Sequence, residues 1–438
     1  MSKAAEAVNL LALHRHAPQR YPFLLQSTAN DNSLGRYDIL FACPRDEAVL
    51  EAPGQGDFLA SLDDWWREER TAASDSPLPF TGGWFLYLGY ELAGEVEPTL
   101  NLDQDPVMPA AFAVRCPAGV VYDHQTGQSH IVTEDSSNGD EALIEADIAD
   151  CLAATSTESE RITGAVQTCE EPPVDYVEAV LRAKDYIAQG DIYQANLSRE
   201  WVTETSEKFA ADQVYAALCA ANPGPFAGLV RWRDNYVISS SPERLLKISG
   251  GVASTRPIAG TRPRSDDQAT DDSLSEELFA HPKERAEHVM LIDLERNDLG
   301  RVSEPGSVEV DEMMVLESYA HVHHIVSNVQ GRLRDDVTPG DAIRAVFPGG
   351  TITGCPKVRC MQIISELEAR PRGAYTGSFG YLNRDGSLDL NILIRTMVLH
   401  ENRISLRAGS GIVADSDAHA ELAETRAKAK GLLQALSQ

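Results

Sequence analysis

The sequence contains no apolar stretch long enough to cross a membrane. A transmembrane helix needs about 20 predominantly apolar residues, and no run in the 438 residues reaches that length. The N-terminus also lacks the longer apolar core and the cleavage site of a signal peptide. These absences exclude a membrane-spanning protein and predict a cytoplasmic one.

Basic residues are scarce relative to acidic ones. Lysine and arginine total 38 against 67 aspartates and glutamates, which gives a net charge of -29. Such a charge opposes binding to nucleic acid or to an anionic membrane surface. An anionic small molecule would therefore have to be held by a few local cationic side chains or by a metal ion.

The sequence also lacks the cysteine spacing of a zinc site or a disulfide framework. Its seven cysteines form no close pair, and an odd number favours reduced thiols. His321, His323 and His324 lie in a predicted strand, where adjacent side chains point to opposite faces. Zinc is therefore not expected, and a single histidine facing a ligand is the better functional interpretation.

The chain is long enough for two domains or for one domain with a large core. Short apolar runs separated by glycine, proline and aspartate predict a β-rich N-terminal region over residues 1–150. An acidic, Ser/Thr-rich linker is predicted over 151–173, followed by a catalytic domain over 174–438. The order of predicted elements favours an α+β class, with antiparallel β-sheets packed together and helices on the outside.

Two acidic segments have the spacing of helical carboxylate pairs. Glu284 and Glu287 lie in HPKERAEHVMLIDLERNDLGR, and Glu421 and Glu424 lie in ELAETRAKAK. Residues three apart share one helix face, so the four carboxylates could surround one Mg²⁺, which prefers oxygen ligands. Solvated helix faces remain the alternative.

Each of the other candidate site residues has both a functional and a purely structural interpretation. Glu243, in SSSPERLL, could be a general acid or could form a surface ion pair with the arginine that follows it. Gln194 could be a catalytic group or a satisfied core amide. The segments GGTITGCPK and GSGIVAD, the latter with Gly409 and Gly411, could bind a small anion through backbone N–H groups or be tight turns.

Several motifs together resemble the chorismate-utilising enzymes. This family includes the synthase subunits of anthranilate synthase and aminodeoxychorismate synthase, with isochorismate and salicylate synthases as more distant members. The motifs, in family order, are PIAGTRPR (257–264), AEHVMLIDLERNDLGRV (286–302), PGGTITGCPK (348–357), GAYTGSFGY (373–381), IRT (394–396), GSGIVADSD (409–417) and ELAETRAKA (421–429).

The resemblance implies chorismate as the substrate and assigns roles to individual residues. Mg²⁺ would bind at Glu287 and Glu424, with Glu284 and Glu421 as water-mediated partners. The remaining substrate-binding positions are Arg395 and Tyr375 for the enolpyruvyl carboxylate, the backbone from Gly409 to Gly411, Lys428, and Thr351 and His324 against the ring.

The resemblance also implies the reaction. Glu243 matches the general acid, and Gln194 stands where water-using members carry a basic lysine. Because glutamine cannot deprotonate water, the expected nucleophile is ammonia. No glutaminase-like cysteine motif is present, so the ammonia is expected from a separate glutaminase subunit.

Ala259 makes the branch within the family ambiguous. Aminodeoxychorismate synthases typically carry a nucleophilic lysine at this position, whereas anthranilate synthases carry alanine. Thr351 also favours the anthranilate branch. The PGGTITG loop, the AYTGS segment and GRYDILFA favour aminodeoxychorismate synthase component I, which is the branch we expect. A non-catalytic member is disfavoured because Glu243 and all four metal-binding carboxylates are present.

Overall fold

The computed structural model describes the whole chain except residues 1, 6, 29–34, 136–137, 154–165, 207–208, 266, 281, 319–321 and 438. Most of the predicted linker and His321 therefore lie outside the described residues. The helices of the described chain are α1 (Leu10–His16), α2 (Phe58–Glu69), α3 (Ala93–Val96), α4 (Asp140–Ala153), α5 (Pro173–Gln189), α6 (Ala211–Ala221), α7 (Gln268–Ala280), α8 (Pro282–Gly300), α9 (Pro339–Val346), α10 (Lys357–Glu368) and α11 (Ala418–Ala435).

The strands form two large antiparallel sheets, which confirms the α+β class. The first sheet has, in order, β1 (Ser2–Ala5), β8 (Gln128–Thr133), β7 (Ala118–Asp123), β3 (Tyr37–Ala42), β2 (Phe23–Gln26), β11 (Phe226–Trp232), β12 (Asn235–Ser241), β21 (Thr396–His400), β22 (Arg403–Ile412), β10 (Gln194–Thr205) and β18 (Gly354–Cys355), with β9 (Val166–Glu170) also paired to β10. The second sheet has β15 (Ile258–Pro263), β17 (Val322–Arg332), β14 (Val252–Arg256), β13 (Arg244–Ser249), β20 (Leu388–Asn391), β19 (Ser378–Asn383), β5 (Gly83–Leu88), β6 (Ala111–Cys116) and β4 (Glu47–Leu50), with β16 (Glu309–Ser318) paired to β17.

Aromatic side chains fill the space between the two sheets. Phe23 of β2 stacks on Phe85 of β5 with ring centroids 4.1 Å apart. Phe112 of β6 stacks on Trp232 of β11 at 3.9 Å. Because each pair joins one sheet to the other, the sheets pack face to face around a common core.

Both sheets contain strands from the predicted N-terminal region and from the predicted catalytic domain. β2 pairs with β11 in the first sheet, and β5 pairs with β19 in the second. The boundaries 1–150, 151–173 and 174–438 stay a prediction, because shared sheets do not locate a boundary.

Local sequence signals explain the elements that flank the site. α5 has a proline in its first turn and ends at Gly190, whose φ of 83° is the left-handed conformation that glycine adopts easily. α11 begins after Asp417, whose carboxylate accepts hydrogen bonds from the N–H groups of His419 and Ala420. These signals position the helix that carries Glu421 and Glu424.

Two further sequence expectations can be compared with the structure. The seven cysteines, all in described residues, are free in the structure, and their redox state stays a prediction. Among the helices described here, none combines the length and the apolar composition that a membrane crossing requires.

Candidate active site

Strands β10 and β22 form one side of the site. Gln194 and Asn196 are two residues apart on β10, so their side chains share a face. A Cβ atom on Gly411 would lie 2.5 Å from Gln194 Nε2, and one on Gly409 would lie 2.7 Å from Asn196 Oδ1. The same Cβ on Gly409 would lie 2.8 Å from the Tyr375 hydroxyl. A Cβ atom on Gly409 would also lie 2.6 Å from the backbone carbonyl oxygen of Leu197, so main chain as well as side chains excludes a larger residue there, whereas Gly411 leaves room for the amide of Gln194.

Glu243 lies just after β12 and is buried, with 5% of its surface exposed. Thr351 Oγ1 donates a 2.7 Å hydrogen bond to Glu243 Oε1, and the N–H of Ile258 also donates to this carboxyl group. Burial raises the pKa of Glu243 to about 7, against the lowering effect of these hydrogen bonds. A substantial fraction therefore carries a proton at neutral pH.

The surface ion pair considered for Glu243 does not form. Arg244 pairs instead with Asp389, with 2.9 Å between Nε and Oδ1. The carboxyl group of Glu243 instead contacts Thr351 and the start of β15, the strand that also contains Ala259.

Two cationic side chains lie near Glu243. Arg395, directly before β21, is half-buried, and burial lowers its pKa. Within the described part of the chain its guanidinium group forms no hydrogen bond and no ion pair. Lys428 of α11 donates a 3.0 Å hydrogen bond to the carbonyl of Gly409 and pairs with Glu424 at 2.7 Å. A half-buried, unpaired guanidinium is suited to a carboxylate ligand.

The two described histidines of β17 have different surroundings. His324 is buried, and burial together with the nearby charge of Arg395 lowers its pKa to about 4, so the ring is neutral at pH 7. His323 lies 3.0 Å from Asp271 Oδ1 and 2.7 Å from Ser318 Oγ through its two ring nitrogens. The pair does not share a ligand position, as expected from strand geometry.

The four carboxylates of the proposed metal site lie on α8 and α11. Glu287 accepts a 2.9 Å hydrogen bond from Gln194 Nε2, and Glu284 is 3.3 Å from Arg262. Glu424 pairs with Lys428, and Glu421 is buried. Both glutamates lie near Tyr176. The pKa of this phenol is raised, mainly by burial and in part by the two negative charges.

These carboxylates fit Mg²⁺ in their chemistry but are not gathered around one point. In the ranges described above, no three His, Cys, Asp or Glu side chains form a ready ligand set. Three of the four carboxylates already have a partner: Glu287 contacts Gln194, Glu284 contacts Arg262, and Glu424 contacts Lys428. The magnesium site therefore stays a prediction.

The sequence did not reveal a buried ion network behind β10. Glu368 pairs with Arg372 at 2.6 Å and with Arg407 at 2.9 Å, and accepts from Ser198 Oγ at 3.0 Å. Burial alone would raise the pKa of Glu368, but the two guanidinium groups outweigh it and the pKa is lowered. Arg372 lies beyond the end of α10, so its four-residue spacing from Glu368 is not a helix-face pattern, and no local sequence signal indicates this network.

The Glu368 network contacts Tyr375, which the sequence motifs assign to the site. Arg372 lies 5.6 Å from the ring centroid of Tyr375 and donates a 2.7 Å hydrogen bond to the carbonyl of Asn196. Asn196 was also not singled out from the sequence, although polar residues occupy alternate positions of QANLS.

Comparison with known proteins identifies the family. The sequence profile of the chorismate binding enzymes matches residues 21–434, so the chain belongs to this family. It is 46% identical over 363 residues to an anthranilate synthase component I-like protein of Synechocystis sp., covering 82% of this chain and 73% of the relative.

Two further relatives come from both candidate branches. The chain is 40% identical over 393 residues to aminodeoxychorismate synthase component 1 of Bacillus subtilis, covering 87% of this chain and 83% of the relative. Its fold matches that of anthranilate synthase component I from Streptococcus pneumoniae with a TM-score of 0.81 and 32% identity, covering 92% and 93% of the two chains. The protein is therefore a chorismate-utilising enzyme, and both branches are represented among its relatives.

Proposed function

We propose that this protein is the synthase component of an aminodeoxychorismate synthase, which uses ammonia and Mg²⁺ to convert chorismate to 4-amino-4-deoxychorismate. The observation that carries the proposal is that the site has a protonated acid at Glu243 but no base at Gln194, where water-using members carry a lysine. Glu243 is buried with a pKa raised by burial to about 7, whereas Gln194 offers only a neutral amide. Glu243 can therefore protonate a leaving hydroxyl, whereas the amide of Gln194 cannot deprotonate water.

The proposed reaction replaces a ring hydroxyl by an amino group. Ammonia forms the new C–N bond, the C–O bond breaks, and the hydroxyl leaves as water with the proton of Glu243. The ammonium group formed on the ring returns one proton to Glu243, which restores the acid. Because Ala259 cannot attack the ring, ammonia itself is the nucleophile in this reaction.

Substrate binding is assigned to the cationic side of the site. Arg395 binds the enolpyruvyl carboxylate, helped by Tyr375 and Lys428. Thr351 and the neutral ring of His324 contact the cyclohexadiene. When bound, Mg²⁺ held by Glu287 and Glu424, with Glu284 and Glu421 on its water ligands, would offset the charge of the ring carboxylate.

Ammonia is supplied by a separate glutaminase subunit in this proposal. The relatives are described as component 1 or component I of their enzymes, which supports a second component. The sequence motifs PGGTITG, AYTGS and GRYDILFA support the aminodeoxychorismate branch. Anthranilate synthase component I is the second candidate, because Ala259 is the residue typical of that branch.

The deciding experiment is to incubate the protein with chorismate, MgCl₂ and ammonium chloride and to identify the product by mass and ultraviolet spectrum. We expect 4-amino-4-deoxychorismate. Anthranilate as the sole product would establish the second candidate instead, and isochorismate would overturn the use of ammonia.

A substitution of the acid gives an independent check. Glu243→Gln keeps an acceptor oxygen for Thr351 but has no acidic proton to transfer, so turnover should fall by about 10²-fold or more. Binding of chorismate in the presence of MgCl₂, measured by calorimetry, should persist. Normal turnover would show that Glu243 is not the acid.

A further inference from the structure

A buried carboxyl group on α8 has no role in the reaction proposed above. Glu295 is buried, and burial, with the charge of Asp298, raises its pKa to about 7 against the lowering effect of Lys357. The ammonium group of Lys357 pairs with Asp298 and donates to the carbonyl of Val346 at 3.0 Å. Within the described residues Glu295 itself forms no ion pair. Burying such a group is costly, so its position calls for an explanation other than stability.

The turn that carries Thr351 connects Glu295 with the acid Glu243. Thr351 Oγ1, in the 3₁₀ turn Gly350–Ile352, donates to Glu243 Oε1 at 2.7 Å. A Cβ atom on Gly350 would lie 3.3 Å from Glu295 Oε1. The two carboxyl groups therefore lie against neighbouring residues of one turn.

Two consecutive glycines allow close packing on this turn. A Cβ atom on Gly350 would lie 2.4 Å from Leu294 Cδ2 of α8, and one on Gly349 would lie 2.9 Å from Ile392 Cδ1. The N–H of Ile392 donates to the backbone carbonyl of Glu243 at 2.9 Å. Thus α8 and the segment that holds Glu243 pack on adjacent glycines, with no side chain to hold them apart at these positions.

Charges of both signs act on Glu243. Those of Arg395 and Lys428 favour its ionised form. The charge of Glu243 raises the pKa of Glu295, and repulsion between two carboxylates is mutual. The charge of Glu295 therefore opposes ionisation of Glu243 and acts against the two cations.

We propose that Glu295 is a positioning residue that keeps the proton on the acid: its carboxylate, packed against the Gly350 turn, makes ionisation of Glu243 less favourable. This inference rests on the proposed role of Glu243 as the general acid, and not on which aminated product forms. Glu295 does not touch the substrate and acts on the leaving hydroxyl only through Glu243. Its buried charge is the means by which an acid beside two cations stays protonated near neutral pH.

The test is the pH dependence of kcat/KM for chorismate at constant ionic strength, with ammonium chloride adjusted at each pH to a constant concentration of free ammonia. Glu295→Gln removes the charge and keeps the size of the side chain. The alkaline decline of kcat/KM should then begin about 0.5–1 pH unit lower, because the repulsion that holds the proton on Glu243 is gone. At pH values below the decline, kcat/KM should match that of wild type.

Asp293→Asn is the matched control. It removes a carboxylate from the same helix, but Asp293 pairs with Arg296 at 2.9 Å and the two side chains are 64% and 51% exposed. Solvent screens this charge, so the decline should not move. Glu295→Asp keeps the buried charge and should restore the decline toward the wild-type pH. Glu295→Met removes the charge with an apolar side chain and gives the same test if the glutamine variant does not fold.

The outcomes separate this inference from the proposed function. A decline that stays at the wild-type pH in Glu295→Gln and Glu295→Met, or that moves to higher pH, would overturn the role of Glu295 and leave Glu243 as the acid. An equal shift in Asp293→Asn would also overturn it. Normal turnover in Glu243→Gln would instead remove the acid itself, and the role of Glu295 would fail with it.

Discussion

At the scale of single residues, the hydrogen bond from Thr351 adjusts the acid Glu243. The hydrogen bond favours the ionised carboxylate and so lowers the pKa, although burial has the larger effect and raises it to about 7. A general acid must be protonated, so kcat/KM for chorismate should fall as pH rises through about 7.

Thr351→Val removes this hydrogen bond while keeping the shape of the side chain. The pKa of Glu243 should rise further, and the alkaline limb of the pH profile should move to higher pH. Thr168→Val, which removes a hydroxyl on β9 that lies 2.9 Å from Thr203 Oγ1, is the control. An unmoved limb in Thr351→Val would mean that another group controls the profile.

The half-buried charge of Arg395 is expected to destabilise the folded protein and to strengthen the binding of chorismate. Its guanidinium is half-buried and, in the described residues, unpaired, and its φ of 54° is in the left-handed region. Arg395→Met should raise the KM for chorismate about 30-fold or more, because a charged contact to a buried carboxylate is worth about 2–5 kcal/mol.

The same variant should not lower the midpoint of thermal unfolding, since an uncompensated buried charge is removed. Arg395→Lys, which keeps the charge but not the bidentate geometry, should lie between wild type and Arg395→Met in its KM. A normal KM in both variants would refute the assignment.

At the scale of elements, Glu368 joins the end of α10 to β22 and to the segment before Tyr375. Glu368→Gln leaves Arg372 and Arg407 without their carboxylate, and the free energy of unfolding in urea should fall by about 3–5 kcal/mol. Because the folded pKa of Glu368 is lowered, its contribution is present above the unfolded pKa and is lost as pH falls through the folded pKa.

The same helix supplies the matched control. Glu366 pairs with Arg182 at 3.1 Å, and their side chains are 50% and 59% exposed. Glu366→Gln should therefore cost less than about 1 kcal/mol. Equal losses in the two variants would show that burial does not govern the contribution of Glu368.

The sequence predicted individual elements better than their pairing. Helices α8 and α11 were expected from the three-residue spacing of their glutamates, because this signal is local. The joining of β2 to β11 and of β5 to β19 depends on contacts between distant residues. No local pattern specifies which strands become neighbours.

The sequence also predicted some residues of the site and not others. Glu243 and Gln194 were identified by family motifs, and the structure gives Glu243 the burial that an acid needs. Asn196 was not identified, because its position beside Gly409 and Tyr375 arises only in the folded state. The carboxylates of α8 and α11 share helix faces as expected, but their convergence on one ion depends on side-chain positions that spacing does not determine.

At the scale of the whole molecule, the shared sheets predict one cooperative unit. A fragment of residues 174–438 would lose the partners of β11 and β19 and the stacking of Phe112 on Trp232. We expect this fragment to aggregate or to lack a cooperative transition in urea, whereas the full chain should give coincident transitions by tryptophan fluorescence and circular dichroism. Cooperative unfolding of the isolated fragment would instead support separate domains.

Gly409 and Gly411 make one surface of the site from main chain alone. A side chain can change rotamer to admit a larger ligand, but paired strands keep a spacing of about 4.8 Å and cannot widen without breaking hydrogen bonds. Planar rings should therefore be accepted over this surface, whereas analogues with a substituent projecting toward β22 should be excluded by a barrier that no nearby rotamer change relieves.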